Sequence, residues 1–314
     1  MSASNRQLVK PPALRPGDTV GIVAPASNVK QSELEAGCEA LRRAGYKPFY
    51  LDSILQRDLY FAGSSTRRAR ELEEMFAQDD VRAIICARGG YGSNYLLEEL
   101  DLAKVTSNPK IFVGYSDLST LLTHFLDAGL VTFHGPMVAK DWSQEDGVNL
   151  DSWLAAVTQQ ASWSVPVDAH VISLANGDAE GILYGGCLSI LVASLGTAYE
   201  IKTDDTILFL EDLAAKPYQV DRMLMQLKLA GKLDKVRGLI FGEMIDCVQA
   251  PNQDYTLQQV ITRIVSELRI PVAYGLKSGH VTSNNITLPL GVRARLKVSQ
   301  AQVKITILES AVAL

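Results

Sequence analysis

The chain is poor in the residues that disulfide, metal and redox chemistry use. Its 314 residues include only four cysteines and four histidines. Cys38, Cys86, Cys187 and Cys247 are scattered and form no C-x-x-C pair, and three of them lie in apolar segments, where a free thiol acts as a small hydrophobe. This spacing argues against a disulfide framework or a thiolate zinc site and fits a reducing, cytoplasmic setting. No H-E-x-x-H, EF-hand loop or other metal spacing occurs, so no metal or cofactor is expected. No apolar run is long enough to span a bilayer. Residues 1–7 are polar and lack the apolar stretch of a secretory signal. Positive charge is also scarce: 30 Lys and Arg stand against 35 Asp and Glu, a net charge of -5, and no basic block stands out. Neither nucleic acid nor membrane is therefore an expected partner.

What remains is the composition of a globular protein, 47% hydrophobic and 21% charged, long enough for two domains. Apolar runs at 18–25, 81–87 and 111–113 read as buried strands, and they alternate with helical patterns at 32–44, 65–78, 93–100 and 118–128. That alternation predicts an α/β domain over residues 1–145, with a mostly parallel sheet wrapped by helices. The pattern decays into polar and small residues near 143–168, which predicts a linker over 146–170 with a short helix near 150–158. Beyond it, short strands and helices predict a smaller α+β domain over 171–314, including a helix at 186–195 and strands at 179–183 and 285–289.

In parallel sheets, ligands bind at the carboxyl ends of strands. Two turns lie there, Arg88-Gly-Gly-Tyr-Gly92 and Gly114-Tyr-Ser-Asp117. Ser116 sits where a buried strand gives way to a helix, as in a nucleophile elbow, although the second glycine of G-x-S-x-G is missing. These residues alone leave open an ordinary junction with Ser116 or Asp117 as helix cap. A nucleophilic serine needs a base and a group that orients the base. Among the histidines, His124 reads as structural within its helix, His134 as a loop or packing residue at a strand end, and His170 as solvated. His280 lies in a loop of small polar residues, 277–285, where Gly279 permits close approach of another surface. Glu211 ends an apolar strand, where a carboxylate needs a partner; a histidine, a salt bridge or a cap would each serve. Asp117 is expected to cap rather than to orient a base. The Gly89–Gly92 turn lacks both dinucleotide and P-loop spacing, and its N–H groups are suited to stabilise an oxyanion.

Taken in order, the segments Leu14-Arg-Pro-Gly-Asp-Thr-Val-Gly-Ile-Val-Ala-Pro25, Ala87-Arg-Gly-Gly-Tyr-Gly92, Asn108-Pro-Lys-Ile-Phe-Val-Gly-Tyr-Ser-Asp117, Thr132-Phe-His-Gly-Pro136, Gly185-Gly-Cys-Leu-Ser189, Leu210-Glu-Asp212, Asp221-Arg-Met-Leu224 and Ser278-Gly-His280 resemble the LD-carboxypeptidase family of serine peptidases. The resemblance implies a flavodoxin-like N-terminal domain, a smaller β-rich C-terminal domain and an active site in the cleft between them. It implies Ser116 as nucleophile, Glu211 and His280 as the rest of a triad, and the N–H groups of Asp117 and Gly90 as oxyanion donors. It further implies a cytosolic homodimer, and a small-peptide substrate, a murein tetrapeptide that loses its terminal D-alanine. Arg88 and Tyr91 are candidate substrate contacts, Arg88 for the substrate's free carboxylate. The chain departs from the family pattern at Tyr95, where an arginine is expected, and at Val281, where a glycine is expected.

Two other readings stand beside this one. Some family members cut peptide–nucleotide antibiotics, for which Trp142 could offer a stacking face. A catalytically silent binder of cell-wall peptides would also use a cleft, but would have no need for the triad to converge.

Overall fold

A computed structural model describes residues 8–158, 160–249 and 251–313; the reading of residues 1–7 lies outside these. The first sheet is built from β1 (Thr19–Val23), β2 (Lys47–Phe49), β3 (Val81–Cys86), β4 (Ile111–Gly114) and β5 (Thr132–His134). They run parallel in the order 2-1-3-4-5, the flavodoxin-like arrangement. β3 and β4 are buried on nearly every residue, because helices cover both faces of the sheet. The covering helices include α1 (Gln31–Arg43), α2 (Ser65–Ala77), α3 (Leu102–Ser107) and α4 (Ser119–Ala128). α4 ends on Gly129 at φ 103, the left-handed conformation that glycine adopts without strain. The helix expected at 93–100 is only a 3₁₀ turn, Ser93–Leu96, and α3 follows it.

The connecting segment carries α5 (Leu150–Val157), near the expected position. The second sheet has eight strands, beginning with β6 (Trp163–Ser164), β7 (Ile172–Ala175), β8 (Gly177–Cys187), β9 (Thr206–Glu211), β10 (Gly238–Gly242) and β11 (Val272–Leu276). β8 to β11 are parallel neighbours. β13 (Arg293–Val298) and β14 (Val303–Ile307) extend the sheet antiparallel beyond β8, and β6 closes that edge. α6 (Leu188–Ala193), α7 (Pro217–Leu229) and α8 (Leu257–Val265) belong to this half.

Two differences from the sequence reading bear on the site. The strand expected at 179–183 runs on to Cys187, and the helix expected at 186–195 begins only at Leu188. The Gly185–Gly186 pair does not break the strand. A Cβ at Gly185 would lie 1.9 Å from the Phe209 carbonyl oxygen, and one at Gly186 would lie 2.5 Å from Ser119 Oγ. Glycine is there so that β8 can pass against β9 and against the start of α4. The strand after the His280 loop, β12 (Leu288–Leu290), joins the first sheet, antiparallel to β5, with Leu288 opposite His134. The chain thus crosses back to the N-terminal sheet directly after His280, so the His280 loop is tethered to both sheets.

Candidate active site

Ser116 follows the apolar β4 strand and has φ 63, with Tyr115 before it fully extended. A left-handed conformation at a non-glycine residue is uncommon and costs energy, and such strain clusters at functional sites. The turn lifts the serine side chain out of the strand end and starts a 3₁₀ turn, Ser116–Leu118, that runs into α4. The Asp117 N–H lies in this first turn, where amides lack intrahelical acceptors. The Asp117 carboxylate accepts the Ser93 N–H at 2.8 Å, while Ser93 Oγ donates to the Asp117 carbonyl at 2.7 Å. Asp117 therefore makes no cap bond to its own helix, contrary to the sequence reading; its carboxylate instead ties the serine turn to the end of the Gly89–Gly92 turn.

That second turn is anchored from below. Buried Arg68 donates to the carbonyls of Pro25, Gly63 and Gly92, and Ser27 Oγ accepts the Tyr91 N–H at 3.1 Å. The Gly90 N–H has no acceptor among the described residues. Gly89 packs directly on Ser116: a Cβ there would be 2.9 Å from Ser116 Cβ and 3.1 Å from Oγ.

On the other side, β9 ends in Glu211, fully buried. Its Oε2 accepts the His280 backbone N–H at 3.0 Å and pairs with His280 Nδ1 at 2.7 Å. Burial alone would raise this carboxyl, but the hydrogen bonds that His280 donates to it hold it below its usual range. An ionised carboxylate only accepts, so the imidazole carries its proton on Nδ1 and leaves the Nε2 lone pair free. The Tyr115 ring meets the imidazole edge-on, at 5.2 Å and 90°.

Ser116 and His280 line one cavity of about 740 Å³, together with Arg88, Gly89, Gly90, Lys140 and Thr282. The Arg88 guanidinium donates one N–H to the Asn28 carbonyl, and Lys140 is exposed. Tyr91 does not line this cavity. It lies in a neighbouring groove with Tyr95 and Tyr199, because Gly90 and Gly92, at φ 108 and 117, turn the chain away there. Trp142 is also absent from the cavity lining; it is buried edge-on against Trp153.

The sequence reading passed over several neighbours of the pair. His134, read as a loop or packing residue, is fully buried beside Glu211, with its Nε2 3.9 Å from Glu211 Oε1, and neither atom has a hydrogen-bond partner. Ser278 Oγ gives its proton to the Ile286 carbonyl, so it accepts from His134 Nδ1–H at 3.0 Å. Burial, more than the Glu211 charge opposes it, pushes His134 down to about 4, and this neutral ring forms no ion pair. Cys187, Glu211 and His280 hold three donor atoms within 4.8 Å of one another. The thiol is pushed well up, by burial first and then by the neighbouring carboxylates, and the other two groups are bonded to each other. The set is therefore organised for hydrogen bonding. His124 packs edge-on to Tyr199 and His170 is exposed, both as expected.

The LD-carboxypeptidase N-terminal domain matches residues 20–135, and the LD-carboxypeptidase C-terminal domain matches residues 180–296. The chain belongs to the LD-carboxypeptidase family. The "Probable murein peptide carboxypeptidase" of Bacillus subtilis is 36% identical over 93% of this chain and 92% of its own length. Among solved structures, the muramoyltetrapeptide carboxypeptidase of Oxalobacter formigenes superposes with TM-score 0.82 at 31% identity, covering 93% of this chain and 99% of that one. The microcin C7 self-immunity protein MccF superposes with TM-score 0.90 at 25% identity, over 97% and 100%. By this membership the protein is a carboxypeptidase. Among the described residues, no helix is long and apolar enough to cross a membrane.

Proposed function

We propose that this LD-carboxypeptidase removes the terminal D-alanine from murein tetrapeptides by serine chemistry. The observation that carries the reading is the Glu211–His280 pair facing the same cavity as Ser116, whose backbone is held at φ 63. In this mechanism His280 Nε2 takes the Ser116 proton as Oγ attacks the scissile carbonyl. Glu211 keeps Nδ1 protonated and stabilises the imidazolium as it forms. The N–H groups of Asp117 and Gly90 receive the oxyanion, where water-excluded donors are worth most. The tetrahedral intermediate collapses, His280 gives its proton to the leaving D-alanine amine, and an acyl-Ser116 ester remains. Water then attacks that ester with His280 again as base, and Ser116 is regenerated. Arg88 and Lys140 supply the positive charge that an exopeptidase needs for its substrate's free carboxylate.

The names of the Bacillus and Oxalobacter relatives support a murein peptide as substrate. The likeness to MccF, which has been solved with glutamyl sulfamoyl guanosine, supports the peptide–nucleotide reading. That reading loses its stacking residue, because Trp142 is buried. A panel of substrates decides between them. The proposal expects D-alanine release from a diaminopimelate-containing tetrapeptide, and little turnover of the same peptide ending in an amide or of an aminoacyl sulfamoyl nucleoside. Preferential turnover of the nucleoside would overturn it. The cytoplasmic setting and the homodimer belong to the same proposal, and light scattering of the purified protein tests the homodimer.

A further inference from the structure

Two buried polar side chains outside the triad converge on the His280 loop. Asn285 is fully buried, and its side chain grips Gly279 from both sides: Oδ1 accepts the Gly279 N–H at 3.0 Å and Nδ2 donates to the Gly279 carbonyl at 3.1 Å. The peptide groups flanking Gly279 are thereby fixed, and the second of them leads into His280. The same Nδ2 donates to Asp141 Oδ1 at 3.1 Å. Asp141 is buried in a π-helical turn, Val138–Trp142, and its Oδ2 accepts the Met137 N–H at 2.8 Å. Such turns recur at functional sites. Asp141 Oδ1 also makes a long 3.5 Å contact with the hydroxyl of Tyr115, the residue before Ser116 whose ring rests on the His280 imidazole. One carboxylate from the N-terminal half therefore touches both the segment that carries the serine and the loop that carries the histidine.

We propose that Asp141 and Asn285 form a latch that positions the His280 imidazole over Ser116, an inference that rests on His280 being the base of the proposed reaction. Both are positioning residues, since neither lines the cavity. The fold does not depend on the latch for its connection. The Asn285 N–H donates to the Gly147 carbonyl, the Asn285 carbonyl accepts from Asn149 N–H, and β12 continues into the first sheet. Losing the side-chain latch should free the Gly279–His280 segment while the loop ends stay in place. A misplacement of about 1 Å at a reacting group costs on the order of 100-fold in rate.

The test compares wild type, Asn285→Ala and Asp141→Asn. The readouts are the rate of covalent labelling by a fluorophosphonate probe, kcat and KM on the tetrapeptide, and the thermal midpoint. Each single variant should label about 10- to 100-fold more slowly, with a matching fall in kcat and KM within about threefold. Asp141→Asn keeps the side-chain shape but sets an NH₂ against either the Met137 N–H or the Asn285 Nδ2. Slowing in this variant is therefore not explained by lost packing. Should Asn285→Ala fail to fold, Asn285→Ser and Tyr115→Phe carry the same comparison. Labelling of Asn285→Ala or of Asp141→Asn at the wild-type rate would overturn the latch. A wild type that the probe does not label at all would instead overturn the reading of His280 as base, and the latch with it.

Discussion

Gly89→Ala is the smallest change that reaches the nucleophile. Gly89 is not among the residues with positive φ, so alanine suits its backbone and the change acts through one methyl group. That methyl would sit 2.9 Å from Ser116 Cβ, 3.1 Å from its Oγ and 3.4 Å from the Tyr115 carbonyl oxygen. Carbon atoms in good contact stand about 3.5–4.0 Å apart, so the overlap at Cβ is roughly 0.6–1 Å. Overpacking of this size costs about 1–3 kcal/mol. The strain is relieved if Ser116 turns aside or if the glycine turn retreats with the Gly90 N–H, and either movement separates the hydroxyl from its oxyanion donors. If that cost falls on the transition state, kcat/KM drops about 5- to 150-fold. The thermal midpoint should fall by only about 2–10 °C. Gly17→Ala is the control: with φ 91 and nothing within 4 Å, it imposes backbone strain far from the cavity and should keep full activity. The assays are fluorophosphonate labelling and tetrapeptide kinetics on both variants. A Gly89→Ala protein that labels within about threefold of wild type would refute the placement of Ser116 as nucleophile under this turn.

Glu211→Gln should separate stability from activity. The Gln oxygen can keep both His280 bonds, and its NH₂, in place of the unpartnered Oε1, faces the His134 Nε2 lone pair; the thermal midpoint should hold or rise while kcat falls about 100- to 10,000-fold. Activity within tenfold of wild type would contradict this. His134 is pushed from 6.5 to about 4, so the folded state binds fewer protons than the unfolded chain between those values, and its contribution to stability is lost as pH falls through that window. Asp141, pushed from 3.8 to about 6 by burial, works the other way and loses stability as pH rises through its own window. The thermal midpoint of His134→Gln should therefore gain on wild type as pH falls from about 6.5 to about 4, and a difference that stays flat with pH would contradict this. Lys140→Ala should raise KM about tenfold or more with little change in kcat, as expected for loss of a charge-assisted bond, and should change nothing for a C-terminally amidated peptide. An unchanged KM would remove Lys140 from carboxylate binding.

The parallel sheet was legible because its strands are continuous apolar runs and α4 has its stop signal in Gly129. The serine turn was legible because a strand and a helix meet at Gly114–Asp117, although those residues alone also allowed a cap. What the sequence hid is long-range. β12 reads as one more strand of the second half, and only its pairing with β5 ties it to the first sheet. The Gly185–Gly186 pair looks like a breaker until the Phe209 carbonyl and Ser119 are seen against it. Asp141 and Asn285 look like loop polar residues, since partners 144 positions apart leave no local pattern. His134 reads as a packing residue, and it is one, but its partners stay hidden for the same reason: Glu211 and Ser278 come from distant segments. Tyr91 falls in the neighbouring groove because the left-handed glycines on either side of it set the direction of the turn, and spacing does not reveal that direction.

The central claim is that Ser116, activated by His280 and Glu211, cuts a terminal D-alanine from a murein tetrapeptide. Its most direct test is D-alanine release from a diaminopimelate-containing tetrapeptide by wild type and by Ser116→Ala, with a chelator present in both reactions. The account predicts release by the wild type and only trace release by the variant. Release by Ser116→Ala at a rate near that of the wild type would contradict it.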